Sequence, residues 1–318
     1  MRFQKTMVRS TLFFGPLALV AVTLSVCQAQ SPRPRQELRE PIYRVQHADG
    51  AAATVDARQS TPTPPGSQVR PVANEVAEHP LMAAVRVAEK GLKNIQENID
   101  DYSCTLVKRE CIDGDLQEPQ YIYMKVRNEK KDATGAVTTP LSVYMYFLAP
   151  DNIKGREVIW VKGQNENKLV AHEGGAVMGL VTVNLDPESR LAMRNQKYPI
   201  YEVGIQRLIE KLLDVAAEDM KYGECEVKFF EGSKINGIEC TCIQVVHPVP
   251  RKNFRFHIAR IFFDSEREVP IRYASYDWPK EAGGEPTLHE EYTYLNMKLN
   301  RGFTDEDFSK DNPKYNFR

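Results

Sequence analysis

The chain has 318 residues, of which 42% are hydrophobic and 27% are charged, and its formal net charge is −1. This balance is typical of a globular protein, and it lacks the basic excess expected of a nucleic-acid-binding protein. The 14 Tyr, 13 Phe and 2 Trp residues lie mostly in segments that alternate between apolar and polar residues, the period of a β-strand.

The first 29 residues have the features of an export signal. Three basic residues precede an uncharged, mainly apolar run from Thr11 to Val26 that is short for a membrane-spanning helix. Small residues then predict cleavage after Ala29, which would leave an exported protein of the periplasm or cell envelope. In a less favoured alternative, Cys27 is lipid-modified, although Val26 is bulky where such a motif has Gly or Ala. A retained N-terminal anchor is a further alternative.

Residues 30–79 are predicted to form a Pro-rich disordered tether. This segment has seven prolines and few large apolar residues, so it cannot bury enough surface to offset its ordering entropy. We expect at most a short local contact from Ile42 to Val45. The folded domain is predicted to cover residues 80–318.

Two helices are predicted within this domain. The first begins at Pro80, and its apolar residues recur in steps of three and four from Leu81 to Ile99. The second spans about Gly204 to Met220 and has an apolar face of the same period. Each helix therefore needs an apolar surface to pack against.

Alternating segments separated by turn signals predict a series of antiparallel strands. A long hairpin is predicted from Phe254 to Tyr276, with its return strand starting at Pro270, and Ala176 to Val183 is predicted as a strand or a short buried segment. The other predicted strands are Asp101–Cys111, Tyr121–Asn128, Leu141–Leu148, Arg156–Val161, Lys168–His172, Glu226–Glu231, Glu239–Val246 and Leu288–Leu299.

This order of elements predicts an α+β fold. A large antiparallel sheet must curve, and the curved sheet, or half-barrel, would wrap the long N-terminal helix and one or two inserted helices. The polar C-terminal segment carries aromatic residues at Phe303, Phe308, Tyr315 and Phe317. We therefore expect this tail to lie over the domain surface.

Two hairpins resemble those of the LolA/LolB-like envelope proteins. One is the strand–turn–strand unit formed by Ile261–Asp264 and Val269–Arg272, and the other joins Asn236–Gly237 to the strand Cys240–Val245. The resemblance implies a half-barrel built around an acyl-chain cavity.

A narrower resemblance involves three other stretches, Asn94–Cys104, Val158–Gly175 and Phe308–Phe317. There the chain is similar to an uncharacterised family of exported bacterial proteins, known only as domain of unknown function number 1571. This family implies no particular chemistry.

The apolar face of the predicted sheet supplies candidate ligand-contacting residues. These are Ile122, Met124, Val143, Met145, Phe147, Phe256, Ile258, Phe262 and Tyr273. An empty cavity and a core filled by helices both require such a face, so periodicity does not separate them. The cavity is implied by the fold resemblance.

Our first hypothesis is therefore a non-enzymatic envelope protein that binds an acyl chain or another apolar ligand. A lid near Ala176 to Pro199 is expected, no cofactor is predicted, and envelope lipoproteins or the membrane surface are further candidate partners. The alternative is a structural or partner-binding domain with a filled core. Arg156, Arg260 and Arg272 could meet anionic head groups, although solvated strand charges are the commoner explanation.

A hydrolase is the second alternative, because His172 and His289 both lie beside carboxylates. Neither belongs to an HExxH arrangement or accompanies a nucleophile motif.

Cys225, Cys240 and Cys242 are expected to be buried strand cysteines, and two disulfides are the alternatives. One joins Cys225 to Cys240 or Cys242, and the other joins Cys104 to Cys111, which one strand would place on opposite faces. The spacing of Cys240 and Cys242 does not favour a metal site.

Overall fold

The alternating segments assemble into one large antiparallel sheet. The computed structural model describes residues 41–44, 78–174, 181–281 and 283–317. The elements in chain order are β1 (Tyr43–Arg44), α1 (Met82–Asn98), β2 (Asp101–Ile112), β3 (Asp115–Leu116), β4 (Gln120–Arg127), β5 (Lys130–Lys131), β6 (Val137–Thr139), β7 (Ser142–Ala149), β8 (Glu157–Val161), β9 (Leu169–His172), β10 (Thr182–Leu185), α2 (Ile205–Asp219), β11 (Glu226–Ile235), β12 (Ile238–Val246), β13 (Ile258–Asp264), β14 (Pro270–Asp277) and β15 (Thr287–Leu299).

The strands are arranged in the order β1-β11-β12-β13-β14-β15-β2-β4-β7-β8-β9-β10. Strand β3 pairs with β2 off this path, and β5 and β6 form a separate two-stranded hairpin. Because β15 returns to lie beside β2, the last strand joins the two halves of the sheet. The path stays open, with β1 and β10 at its edges. This is the predicted α+β half-barrel, with both predicted helices present.

Helix α1 packs against the sheet and α2 together. Ile95 is fully buried. Gly91 comes so close to its neighbours that an added Cβ would lie 3.0 Å from Cε1 of Phe263 and 3.4 Å from Cδ1 of Ile209. The missing side chain therefore allows the close approach of α1 to β13 and α2.

The start of α2 is fixed to the sheet by Tyr102 of β2. The backbone N–H of Ile205 donates to the Tyr102 hydroxyl at 2.9 Å, which satisfies one of the amide groups that a helix leaves free at its first turn. Gly204 precedes it with φ +118°, and an added Cβ would lie 2.9 Å from the same hydroxyl. Both the backbone conformation and the available space require glycine there.

The C-terminal tail lies over the domain surface, as predicted, and packs on the face of the sheet opposite the helices. The ring of Tyr315 stacks on Tyr144 of β7 with centroids 4.1 Å apart. Phe308 is buried beside Tyr144, Ile159 and Val161. Aromatic burial thus holds the tail over β7 and β8.

Some predictions need correction. Strand β13 begins at Ile258, so Phe254 and Phe256 precede it rather than lying in it. The prediction for Ala176 to Val183 falls partly on residues 175–180, outside the described residues. Tyr43 and Arg44 pair with β11, so the short contact expected in the Pro-rich segment is confirmed. None of the described helices is long and apolar enough to cross a membrane.

Replacing Tyr102 with Phe tests the attachment of α2. The substitution keeps the ring but leaves the buried Ile205 N–H without an acceptor, so we expect a loss of about 1–3 kcal/mol in the free energy of unfolding. Urea denaturation measures this difference. Tyr222→Phe, at a more exposed tyrosine, is the control and should stay close to wild type. An unchanged stability of Tyr102→Phe would show that this contact does not hold α2 in place.

Candidate functional site

A cavity of about 510 Å³ lies between α2 and the sheet. It is bounded by strands β2, β4, β7, β14 and β15, by α2, and by the segments before α2 and before β13. The lining residues are Leu106, Lys108, Glu110, Ile122, Met145, Gln196, Lys197, Tyr198, Glu202, Val203, Gly204, Arg207, Leu208, Lys211, Leu212, Val215, Lys252, Phe254, Arg255, Phe256, Tyr273, Ser275, His289, Glu290, Tyr292 and Tyr294.

The register of the strands places apolar lining residues at one end of the cavity and charged ones at the other. Leu106 lies opposite Tyr294 and Ile122, which gives an apolar level. Two residues further along β2, Lys108 lies opposite Tyr292. Same-face residues on a strand are about 7 Å apart, so the lining changes from hydrocarbon to charge over one such step.

The next level places two carboxylates side by side. Glu110 and Glu290 are direct partners across β2 and β15, and both are buried. Like charges directly opposite on a sheet are destabilising unless they are compensated. Glu110 Oε2 accepts a hydrogen bond from Lys108 Nζ at 3.0 Å, and Glu110 Oε1 accepts one from the Tyr292 hydroxyl at 2.7 Å. These two donors compensate the negative charge of Glu110.

The second carboxylate is compensated from the segment that precedes α2. Glu290 Oε2 accepts a hydrogen bond from the Tyr198 hydroxyl at 3.0 Å. Lys197 Nζ lies 3.0 Å from the same oxygen. This nitrogen is buried, and it forms no hydrogen bond of acceptable geometry with any partner in the described residues. Burial first, and then the nearby carboxylates, raise the pKa values of Tyr198 and Tyr292 above their usual range. Both hydroxyls therefore stay protonated and act as donors.

The segment before β13 forms another wall of the cavity. Phe254 and Phe256 are buried, whereas Lys252 and Arg255 are exposed, and all four line the cavity. Because exposed side chains mark where a cavity meets solvent, this basic and aromatic segment lies at the mouth.

A buried His–Asp pair supports that aromatic wall. The ring of His247 stacks on Phe254 at 4.0 Å between centroids and lies 4.8 Å from Phe256. His247 Nε2 is 3.4 Å from Oδ2 of Asp219, the last residue of α2. Burial lowers the pKa of His247 and raises that of Asp219 to about 6. Both shifts favour the neutral forms.

The structure brings some of the predicted ligand-contacting residues together. Ile122, Met145, Phe256 and Tyr273 line the cavity. Three others lie on the same face of β4 and β7 but are buried in the core cluster that contains Ile95, Ile205 and Ile209. These three are Met124, Val143 and Phe147. This part of the concave face is filled by helices.

Two predicted residues lie on the opposite face of the sheet. Ile258 pairs with Tyr276 and Phe262 pairs with Arg272. Tyr273 on β14 lines the cavity, and both of these partners lie an odd number of residues from it, so their side chains point to the other face. Strand alternation therefore directs Ile258 and Phe262 away from the cavity. The structure does not place them at the site.

The predicted arginine sites are occupied by partners within the protein. Arg156 Nε lies 3.0 Å from Glu173, Arg260 donates to Gln244 at 2.8 Å, and Arg272 donates to Thr293 at 2.6 Å. The basic residues at the cavity are different ones.

The five cysteines of the described residues are free thiols, and Cys240 and Cys242 are buried as expected, so neither alternative disulfide is present among them. Cys225 immediately precedes β11, whose Phe230 and Ser233 pair with Cys242 and Cys240. Phe230 is five residues beyond Cys225, about 17 Å along a strand, and a bridge needs Cα atoms within about 7 Å.

Cys104 and Cys111 both lie in β2, at an even greater separation of about 23 Å. Burial raises the pKa of Cys240 to about 11 and that of Cys242 to about 12, so these thiols are inert at neutral pH.

The two candidate catalytic histidines are in different places. His172 is buried on β9, and its Nδ1 lies 3.0 Å from Thr182 Oγ1. His289 lines the cavity, and its Nδ1 lies 3.0 Å from Asp277 Oδ2. Within the described ranges, neither histidine hydrogen-bonds to a serine or cysteine, and no group of three or more potential metal ligands occurs.

The charged residues of the cavity were not among the predicted site residues. Lys108 and Glu110 continue the alternation of Leu106 along β2, so their position on the concave face was visible in the strand pattern. Lys252 and Arg255 carried no such signal, because their segment is not a strand.

Residues 99–317 match the model of a protein family described as Protein of unknown function (DUF1571). No curated protein matches the chain.

Solved structures with a similar fold include the Mycobacterium tuberculosis lipoprotein LppX, at 13% identity and a TM-score of 0.38, covering 70% of this chain and 98% of that one. Another is a putative outer membrane lipoprotein-sorting protein domain from Vibrio parahaemolyticus, at 10% identity and 0.33, covering 71% and 96%. A chain of the Pseudomonas aeruginosa MucA/MucB complex matches at 12% and 0.38, covering 71% and 60%.

Asp219→Asn tests the buried carboxyl beside the cavity wall. The pKa of Asp219 is raised to about 6 by burial, against about 3.9 in an unfolded chain. The contribution of Asp219 to the free energy of unfolding of the wild type is therefore fully present below about pH 4, and it is lost as the pH rises through about 6. Asn does not titrate, so we expect the variant to gain up to about 3 kcal/mol over wild type above pH 6.

Urea unfolding at a series of pH values measures this gain. Asp214→Asn changes an exposed carboxyl of the same helix and should give no comparable pH-dependent difference. A variant less stable than wild type at neutral pH would contradict this expectation and show that neighbouring positive charge, such as that of Arg255, outweighs the burial of the Asp219 carboxylate.

Proposed function

The chain belongs to the DUF1571 family of proteins of unknown function, and we propose that it binds one acyl chain, or an apolar ligand of similar size, in the cavity beneath α2. The observation that carries the proposal is the cavity of about 510 Å³. Its volume lies in the range of about 300–1,000 Å³ found for sites that take one small ligand.

The apolar end of the cavity would bind the chain. Leu106, Ile122 and Met145 line it from the sheet, and Leu208 and Leu212 line it from α2. Each buried CH₂ group would contribute about 0.8 kcal/mol through the hydrophobic effect. The rest of the lining is rich in charged and polar residues, so the cavity offers an apolar end for a chain and a polar end for a head group.

The proposal includes export to the periplasm or cell envelope. It is supported by the signal-like first 29 residues. In that compartment the membrane surface and envelope lipoproteins are the available sources of acyl chains. Of the expected lid, residues 176–180 lie outside the described residues, but Gln196, Lys197 and Tyr198 border the cavity and would cover a bound chain.

The competing function is that of a structural or partner-binding domain with a filled core, and the buried packing of Met124, Val143 and Phe147 favours it. The two hypotheses apply to different parts of the concave face. They differ in whether the space beneath α2 takes up a ligand. The hydrolase alternative would require the His289–Asp277 pair to act on a bound substrate.

Native mass spectrometry with lipid extraction tests the proposal. We expect the purified protein to carry bound lipid, or to take up an added fatty acid with one-to-one stoichiometry. Met145→Trp places a larger side chain in the cavity, so it should reduce occupancy at least severalfold through lost space.

Tyr146→Trp is the matched control, because the neighbouring residue on β7 points to the opposite face. It should leave occupancy unchanged, and circular dichroism checks that both variants fold. A clean unliganded mass, with no uptake from added acyl lipids, would eliminate the carrier function and favour the structural one.

A further inference from the structure

Six basic side chains line the cavity, against three carboxylates. The basic residues are Lys108, Lys197, Arg207, Lys211, Lys252 and Arg255. The carboxylates are those of Glu110, Glu202 and Glu290. The lining therefore has a positive excess, although the whole chain has a formal net charge of only −1.

Four of the six basic residues are already neutralised. Lys108 pairs with Glu110 at 3.0 Å and Lys197 lies 3.0 Å from Glu290. On the helix side, Lys211 pairs with Glu202 at 3.0 Å and Arg207 with Glu210 at 2.6 Å. The deep polar end is thus balanced in charge.

Lys252 and Arg255 differ from the other four. In the part of the chain that the structure describes, neither has a carboxylate within 4.0 Å. Both are exposed and both line the cavity. Their neighbour Arg251 provides a contrast, because it forms an ion pair with Glu224 and is not part of the lining.

The position of these two residues follows from strand register. Ala259 pairs with Ser275, which pairs with Glu290, and Glu290 pairs with Glu110. Two residues before Ala259, the backbone N–H of His257 still donates to the carbonyl of Tyr276. Followed backwards from Ala259, the chain therefore passes the level of Glu110 and Glu290 before it reaches Arg255. Lys252 and Arg255, which have no carboxylate within 4.0 Å among the described residues, therefore lie at the charged end of the cavity, away from Leu106 and Ile122. Arg255 also interacts at longer range with the buried Asp219, whose pKa it lowers.

We propose that the ligand is a single-chain amphiphile with an anionic head group, which Lys252 and Arg255 bind at the mouth. This inference rests on the proposed acyl-chain function and adds the chemistry of the head. The chain would extend toward Leu106 and Ile122, while carboxylate or phosphate oxygens would meet the guanidinium and ammonium groups. An arginine offers paired N–H donors that match either anion.

A cationic head group would be repelled at this mouth. A neutral head would leave Lys252 and Arg255 solvated and would gain nothing from them. The arrangement therefore selects for negative charge rather than for polarity alone.

The test compares three probes with the same chain and different heads. Palmitate, hexadecyl phosphate and hexadecanol are titrated against the full-length protein below their aggregation limits, at low and at high salt. We expect wild type to bind the two anions about tenfold or more tightly than the alcohol, with the preference reduced at high salt by screening.

The double variant Lys252→Gln and Arg255→Gln should lose about tenfold in affinity for the anions while its affinity for hexadecanol stays unchanged. Arg251→Gln is the matched control and should keep the wild-type preference. Whichever anion loses more affinity in the double variant identifies the head-group source.

The outcomes separate this inference from the proposed function. Equal binding of all three probes by wild type would overturn the head-group inference and leave the acyl-chain site standing. A preference for anions that survives in the double variant would overturn the assignment to Lys252 and Arg255. Failure of all three probes to bind would overturn the acyl-chain site itself.

Discussion

The sheet is too wide for two helices to cover, and most of the architecture follows from this mismatch. Twelve strands in one path, spaced about 4.8 Å apart, extend over more than 50 Å. Helices of 17 and 15 residues are about 26 Å and 23 Å long. The helices fill the concave face near Met124 and Val143, and a cavity remains beneath α2.

The same mismatch explains the polar network. Once strand alternation commits Leu106 to the concave face, Lys108 and Glu110 must follow it there, where bulk water is scarce. A buried charge is tolerated only with partners. Glu110 and Glu290, which face each other across two strands, are therefore held by two lysines and by the hydroxyls of tyrosines.

The sequence predicted the fold well because its main signal is periodicity. The strand predictions differ from the observed bounds by one or two residues in most cases, and both helices are where the 3.6-residue period placed them. The errors occur where the period fails. Phe254 and Phe256 alternate like strand residues but belong to a turn-rich segment, and the bulge near Phe262 and Phe263 is invisible in the pattern.

The candidate site was only partly predictable for a related reason. Met145 and Tyr273 were found because apolar strand residues point to a core. Lys197, Lys252 and Arg255 come from irregular segments whose path depends on tertiary packing, so no local pattern places them at the cavity. The charge balance of the site emerges only when β2, β14 and β15 are aligned in register.

Helix α2 is fastened to the rest of the domain in an unusual way. Among the described residues, its polar ties to the sheet are at its two ends, through Tyr102 at Ile205 and through His247 near Asp219. Between them, apolar residues of α2 pack on the sheet, and Lys211 pairs with Glu202 of the segment that precedes the helix. A rotation of α2 about its long axis would keep both ties and would move Leu208 and Leu212 into or out of the space beneath. The volume of the cavity therefore depends on the rotational setting of one helix.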